Sequence, residues 1–128
     1  MQVRFLTILI VDDDPTLLRL LGILLREEGH TVMSAESGEA ALGLATAVKP
    51  DMVLTDLRMG GMDGLELLES LRKMYPMLPG IILTAHGNIP EVSGPARRGV
   101  LGFIQKPYEA RHLLREVNRI ANCFVDLE

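Results

Sequence analysis

The 128-residue chain has a single cysteine, Cys123, so no disulfide framework holds it together, and a lone thiol suits a reducing, cytoplasmic setting. No apolar run is long enough to cross a membrane. Strong charge of either sign is missing too: the formal net charge is -4, which argues against a direct nucleic-acid partner. The histidines His30, His86 and His112 share no metal-ligand spacing, and His30 reads as a turn residue. Repeats and low-complexity segments are absent. What is present is apolar: hydrophobic residues make up 48%, enough for a core in one domain over residues 1–128, structured from about 5 to about 122. The opening MQVRFLTILIVDDD places Arg4 before an apolar stretch, as a signal peptide does. That stretch is short, lacks a small-residue cleavage site and runs into three aspartates, so a first buried strand is expected instead.

Apolar β-type runs alternate with helical patterns from end to end. Phe5 to Val11 is a strand candidate, followed by Asp14-Pro15 as N-cap and first helical residue. Leu17, Leu21, Leu24 and Leu25 recur at helical spacing, and Gly29 closes that helix. Thr31 to Met33 reads as a second strand. Ser37 caps a helix whose apolar face is Ala41, Leu44, Ala45 and Val48. Met52 to Thr55 is a third strand, and a helix from about Gly64 to Met74 carries Leu65, Leu68 and Leu71. Ile81 to Thr84 and Gly102 to Gln105 complete the strands, and Glu109 to Asn122 is the last helix. Such alternation predicts an α/β fold: a five-stranded parallel sheet, strand order 2-1-3-4-5, with helices on both faces.

In a parallel sheet all carboxyl ends share one edge. Strand 1 ends in Asp12-Asp13, strand 3 in Asp56, strand 4 in Thr84-Ala85 and strand 5 in Lys106. Carboxylates held close repel one another unless a hard cation joins them, and Mg²⁺, with Mn²⁺ as its substitute, suits such an oxygen-rich site. A hydroxyl and an ammonium facing them suit the anionic oxygens of a phosphoryl group.

The segments VDDDP, LTDLRMGGMDG, IILTAHG and GFIQKP resemble, in order and spacing, the receiver domains of two-component response regulators, over Ile8 to about Ala121. The resemblance implies a flavodoxin-like phosphoacceptor rather than an enzyme with its own substrate. Asp56 would accept a phosphoryl group from a phosphohistidine of a sensor histidine kinase or phosphotransfer protein. Asp12, Asp13, Asp56 and the main-chain carbonyl of Arg58 would hold Mg²⁺, Asp12 largely through water. Lys106 and Thr84 would contact phosphoryl oxygens, and Ala85 would leave room for them. Thr84 and Phe103 would form the switch, and Arg58 and His86 would tune the lifetime of the phosphorylated state. Lys106-Pro107 matches a peptide bond that is cis in the family. Phosphorylation would reshape the face made by helix 4, strand 5 and helix 5, which would control an output domain or partner, with homodimerisation as one outcome.

Two other readings compete. ILIVDDDPT fits a haloacid-dehalogenase-type phosphatase with Asp12 as nucleophile, but no late acidic pair follows Lys106 and Asp56 is left unexplained. A pseudo-receiver acting only as a binding module sits poorly with the intact acidic set. Two departures from the family stand out. Gly94-Pro95 falls inside NIPEVSGPARRGV, where helix 4 is expected, and predicts a short or broken helix, reduced to a turn over Pro95 to Arg98. Gly60-Gly61 replaces a common proline and predicts a looser loop. No DNA-binding helix-turn-helix is evident, so the chain is expected to be a stand-alone receiver or one excised from a longer regulator. The wording of residues 54–87 is similar to receivers joined to sigma-54-type activators.

Overall fold

The computed structural model describes residues 4–85 and 99–124. Five parallel strands, β1 (Thr7–Val11), β2 (Thr31–Ala35), β3 (Met52–Asp56), β4 (Gly80–Ala85) and β5 (Val100–Lys106), pair in the order β2-β1-β3-β4-β5. The described helices are α1 (Pro15–Glu27), α2 (Gly38–Ala47), α3 (Gly64–Met74) and α4 (Ala110–Phe124). Here α4 is the C-terminal helix, the fifth in the sequence-based count. The predicted fourth helix, with Gly94-Pro95, lies outside the described residues.

Period-two alternation along the strands builds two cores. Ile8, Ile10, Leu54, Ile81, Leu83 and Ile104 face α1 and α4, meeting Leu21, Leu25, Leu113 and Val117. Leu9, Val11, Val53 and Ile82 face α2 and α3, meeting Ala41, Ala45, Leu67, Leu68 and Leu71. Strands β1, β3 and β4 are interior and buried on both sides, whereas edge strand β2 exposes Thr31 and Ser34.

Local chemistry ends the helices where the sequence suggested. The Asp14 side chain accepts from the Thr16 and Leu17 main-chain N–H groups at 2.9 and 3.4 Å, and Ser37 Oγ accepts from Ala40 N at 3.1 Å. Asp63 and Glu66 form a reciprocal capping box on α3. Gly29, with φ +96°, takes the left-handed position after α1.

Several expectations need correction. Phe5 is exposed and β1 starts only at Thr7, because the Phe5 ring covers the α1–β2 turn at Gly29 instead of entering the core. Strands β2 and β5 run longer than predicted, carried by their ladders to β1 and β4. On α2, Ala41 and Ala45 are buried while Leu44 and Val48 turn outward: close packing on the sheet selects the small residues. On α3, Leu67 belongs to the buried face and Leu65 to its border. His30 follows the turn after α1, as expected; it is buried, and its Nδ1 accepts the Leu6 main-chain N–H at 3.1 Å.

Candidate functional site

The strand order brings the carboxyl ends of β1, β3, β4 and β5 to one edge, and Asp12, Asp13, Asp56 and Lys106 meet there. Oxygen atoms of Asp12, Asp13 and Asp56, one from each, lie within 4.8 Å of one another. Lys106 Nζ reaches this group from β5, 2.9 Å from Asp12 Oδ2 and 3.4 Å from Asp56 Oδ1. Asp12 is the buried member, and its Oδ1 also accepts the Asp14 main-chain N–H at 2.9 Å. Asp13 is exposed and Asp56 half-buried.

The electrostatics follow from this enclosure. Burial pushes the Asp56 carboxyl above the ordinary range; the Lys106 charge opposes this, and Asp12 and Asp13 reinforce it. Burial alone would lower Lys106, but its hydrogen bond to Asp12 and the charges of Asp12 and Asp56 outweigh that and raise it. Three carboxylates thus share one ammonium. The remaining negative charge, borne by hard oxygen donors, fits a small divalent cation such as Mg²⁺.

Around this cluster, Thr84 is buried on β4 and its hydroxyl donates a long, 3.4 Å bond to the Ala85 carbonyl. Ala85 is exposed at the strand end. Phe103 is half-buried on β5, in register with Ile82, and packs on the α2–α3 core. Arg58 is exposed in the loop after β3, where Gly61 has φ +80°, a conformation that favours glycine. Among the described residues, nothing lies within 4 Å of where a β-carbon on Gly60 would sit. Lys106-Pro107 is cis. His86 lies outside the described residues.

The sequence reading missed a groove of about 670 Å³ that opens beside the acids. Leu17, Leu20, Ile23 and Tyr108 line it together with Asp12, Ala85 and Lys106. Leu17, Leu20 and Ile23 are 40%, 58% and 47% exposed. The signal was legible: α1 carries more leucine and isoleucine than one buried face can use, so a second apolar stripe was due. Burial, with Asp12 adding and Lys106 opposing, raises the Tyr108 phenol above its usual value.

The family model for the response regulator receiver domain matches residues 8–118. The chain belongs to that family. Receivers are regulatory phosphoacceptors of two-component systems, they interact with histidine kinases, and they bind Mg²⁺ at an acidic pocket. The transcriptional regulatory protein GlrR of Escherichia coli K12 is 44% identical over 111 residues, 87% of this chain and 25% of its own length. FixJ of Rhizobium meliloti, also named a transcriptional regulatory protein, is 34% identical over 95% of this chain and 60% of its own. The crystal structure of the receiver domain of NtrX from Brucella abortus has a TM-score of 0.82 at 34% identity, covering 91% of this chain and 98% of that one. This receiver therefore spans about a quarter of the GlrR length. The phosphatase alternative loses its basis, because family membership and the convergence of Asp56 with Asp12 account for the acids together.

Proposed function

We propose that Asp56 is the phosphoryl acceptor of this receiver. The observation that carries the reading is the meeting of Asp56 with Asp12, Asp13 and Lys106 at one sheet edge. Asp12, Asp13, Asp56 and the Arg58 carbonyl would hold Mg²⁺, or Mn²⁺ in its place. Bound there, the ion would neutralise the acids and let an anionic phosphoryl group approach. Lys106 then holds a phosphoryl oxygen while an Asp56 oxygen attacks in line. The phosphorus–oxygen bond forms as the phosphorus–nitrogen bond to the donor's histidine breaks. The high pKa of Lys106 keeps it cationic throughout.

The new dianion draws the Thr84 hydroxyl, whose long bond to Ala85 is easily exchanged. Phe103 is the other switch element. The β4–β5 register puts it opposite Ile82, two residues before Thr84 and on the same face of the sheet, so a shift of Thr84 changes the space beside it. The result is a population shift at the β5–α4 face. Arg58 and His86 set the rate at which water removes the phosphoryl group, so the domain promotes only its own phosphorylation and reset.

The donor is a sensor histidine kinase or phosphotransfer protein, and the α1–Tyr108 groove, continuous with the acids, is the surface it covers. The chain acts in the cytoplasm, as a single unit of residues 1–128, and the responding partner is an output domain of a longer regulator, a separate protein or a second copy. Incubation with acetyl phosphate and Mg²⁺ tests the proposal: the wild type gains one phosphoryl group by mass and Asp56→Asn gains none. A phosphorylated Asp56→Asn protein would return the function to other residues.

A further inference from the structure

Helix α3 begins directly against the main chain of the acceptor. The buried Thr55 hydroxyl donates to the Asp56 carbonyl oxygen at 2.9 Å. Gly64, the buried first residue of α3, donates its N–H to the Leu57 carbonyl at 2.8 Å. The Leu57 N–H in turn donates to the Leu83 carbonyl on β4 at 2.9 Å. Residues 58–63 are therefore closed into a loop stapled at both ends, with Arg58 immediately after the first staple.

Gly64 faces the acceptor where any side chain would start. A β-carbon there would collide with the carbonyl oxygen of Asp56 and come within 3.2 Å of its carbon and 3.1 Å of Thr55 Cγ2. The nearby Gly38 is different: its β-carbon would meet the Met62 side chain, with Sδ at 2.8 Å, and a thioether can swing aside. A main-chain carbonyl cannot step aside without moving Asp56 itself. Neither the Asp63–Glu66 capping box nor the N-cap needs a glycine at 64, so the close approach is the feature that does.

We propose that Gly64 and Thr55 are positioning residues that together clamp the Asp56 carbonyl and so fix the metal-binding loop. Displacing the clamp moves the Asp56 carboxylate relative to Asp12 and Asp13. It also shifts the loop that carries the Arg58 carbonyl. The inference rests on the phosphoacceptor reading above.

Metal affinity is the direct readout. Free Mn²⁺, followed by electron paramagnetic resonance, is titrated with the full chain and with Gly64→Ala, Thr55→Val and Tyr75→Phe. Gly64→Ala and Thr55→Val are expected to weaken Mn²⁺ binding by about 10- to 100-fold, the range for losing a supporting group behind a metal ligand. Both should recover most of their acetyl phosphate reaction rate when Mg²⁺ is raised to saturation. Tyr75→Phe removes the 2.6 Å bond from the Tyr75 hydroxyl to the Ala45 carbonyl at the other end of α3. It should lower thermal stability and leave metal affinity unchanged, which separates clamping from general destabilisation. Wild-type affinity in folded Gly64→Ala and Thr55→Val overturns the clamp. If Gly64→Ala does not fold, Thr55→Val decides alone: unchanged affinity overturns the proposal, and weakened affinity supports it. Failure of the phosphoacceptor reading looks different. The wild type and Asp56→Asn would then bind Mn²⁺ equally, and Asp56→Asn would take a phosphoryl group as the wild type does.

Discussion

Lys106 at the end of β5 bonds Asp12 at the end of β1, 94 residues away in sequence, through a 2.9 Å contact that spans the sheet edge. In the metal-free protein this ammonium is the counter-charge of a carboxylate only 3% exposed. Lys106→Ala should destabilise the metal-free domain by about 1–3 kcal/mol, the cost of leaving the Asp12 Oδ2 atom without its partner. Saturating Mg²⁺ should return part of that loss, because a second cation replaces the first. Thermal melts with and without Mg²⁺ check this, and equal melting temperatures for wild type and variant without metal would refute it.

The raised pKa of Asp56 predicts a pH-dependent gap between wild type and Asp56→Asn. A carboxyl whose folded pKa lies above its unfolded value supports the fold fully below the unfolded value, about 3.9, and loses that support as pH rises through the folded value. At neutral pH the wild type bears the cost of a half-buried carboxylate and the neutral amide does not. Asp56→Asn should therefore be the more stable protein at pH 7 without metal, with the gap closing below about pH 4. Urea denaturation across that range measures it; a variant less stable than wild type at pH 7 contradicts it.

His30 carries the opposite sign. Burial lowers its pKa, opposed by the nearby Glu28 charge, and Nδ1 must be unprotonated to accept the Leu6 N–H. A histidine depressed in the folded state supports stability above its unfolded pKa, about 6.5, and that support fades as pH falls. His30→Asn keeps an acceptor but cannot titrate, so it should flatten the fall in stability between about pH 7 and pH 5. Equal slopes in the two proteins would exclude His30 as the source.

The groove beside the acids predicts a split between phosphodonors. Leu20 is 58% exposed, so Leu20→Glu should leave the fold and the acetyl phosphate reaction unchanged. Transfer from a phosphohistidine protein should slow by about tenfold or more, equivalent to losing about 1.4 kcal/mol of docking energy. Rapid-quench kinetics with both donors test this, and an equal effect on the two would remove the groove from donor recognition.

Much of this architecture was legible in the chain. The alternation of apolar runs with capped helical patterns yielded the strand order, and strand-end positions alone gathered Asp12, Asp13, Asp56, Thr84 and Lys106. Where the reading fell short, tertiary context decided. Leu44 and Val48 follow the helical period yet face outward, while Ala41 and Ala45 take the buried positions against the sheet. His30 read as a turn residue, but its role depends on a partner 24 residues away at Leu6. The Gly64 contact with Asp56 was out of reach, since a missing β-carbon has no pattern of its own in one sequence. Leu20 and Ile23 were visible as excess apolar residues on α1, but only the placement of Tyr108 turned them into a groove beside the acids.

The chemical identity of the modified residue is the most direct test. The wild type is treated with acetyl phosphate and Mg²⁺, reduced with borohydride, digested and sequenced by mass spectrometry. An acyl phosphate on Asp56 is converted to homoserine, so the account predicts homoserine at position 56 and aspartate at positions 12 and 13. Homoserine at position 12 or 13 with aspartate intact at 56 would contradict it.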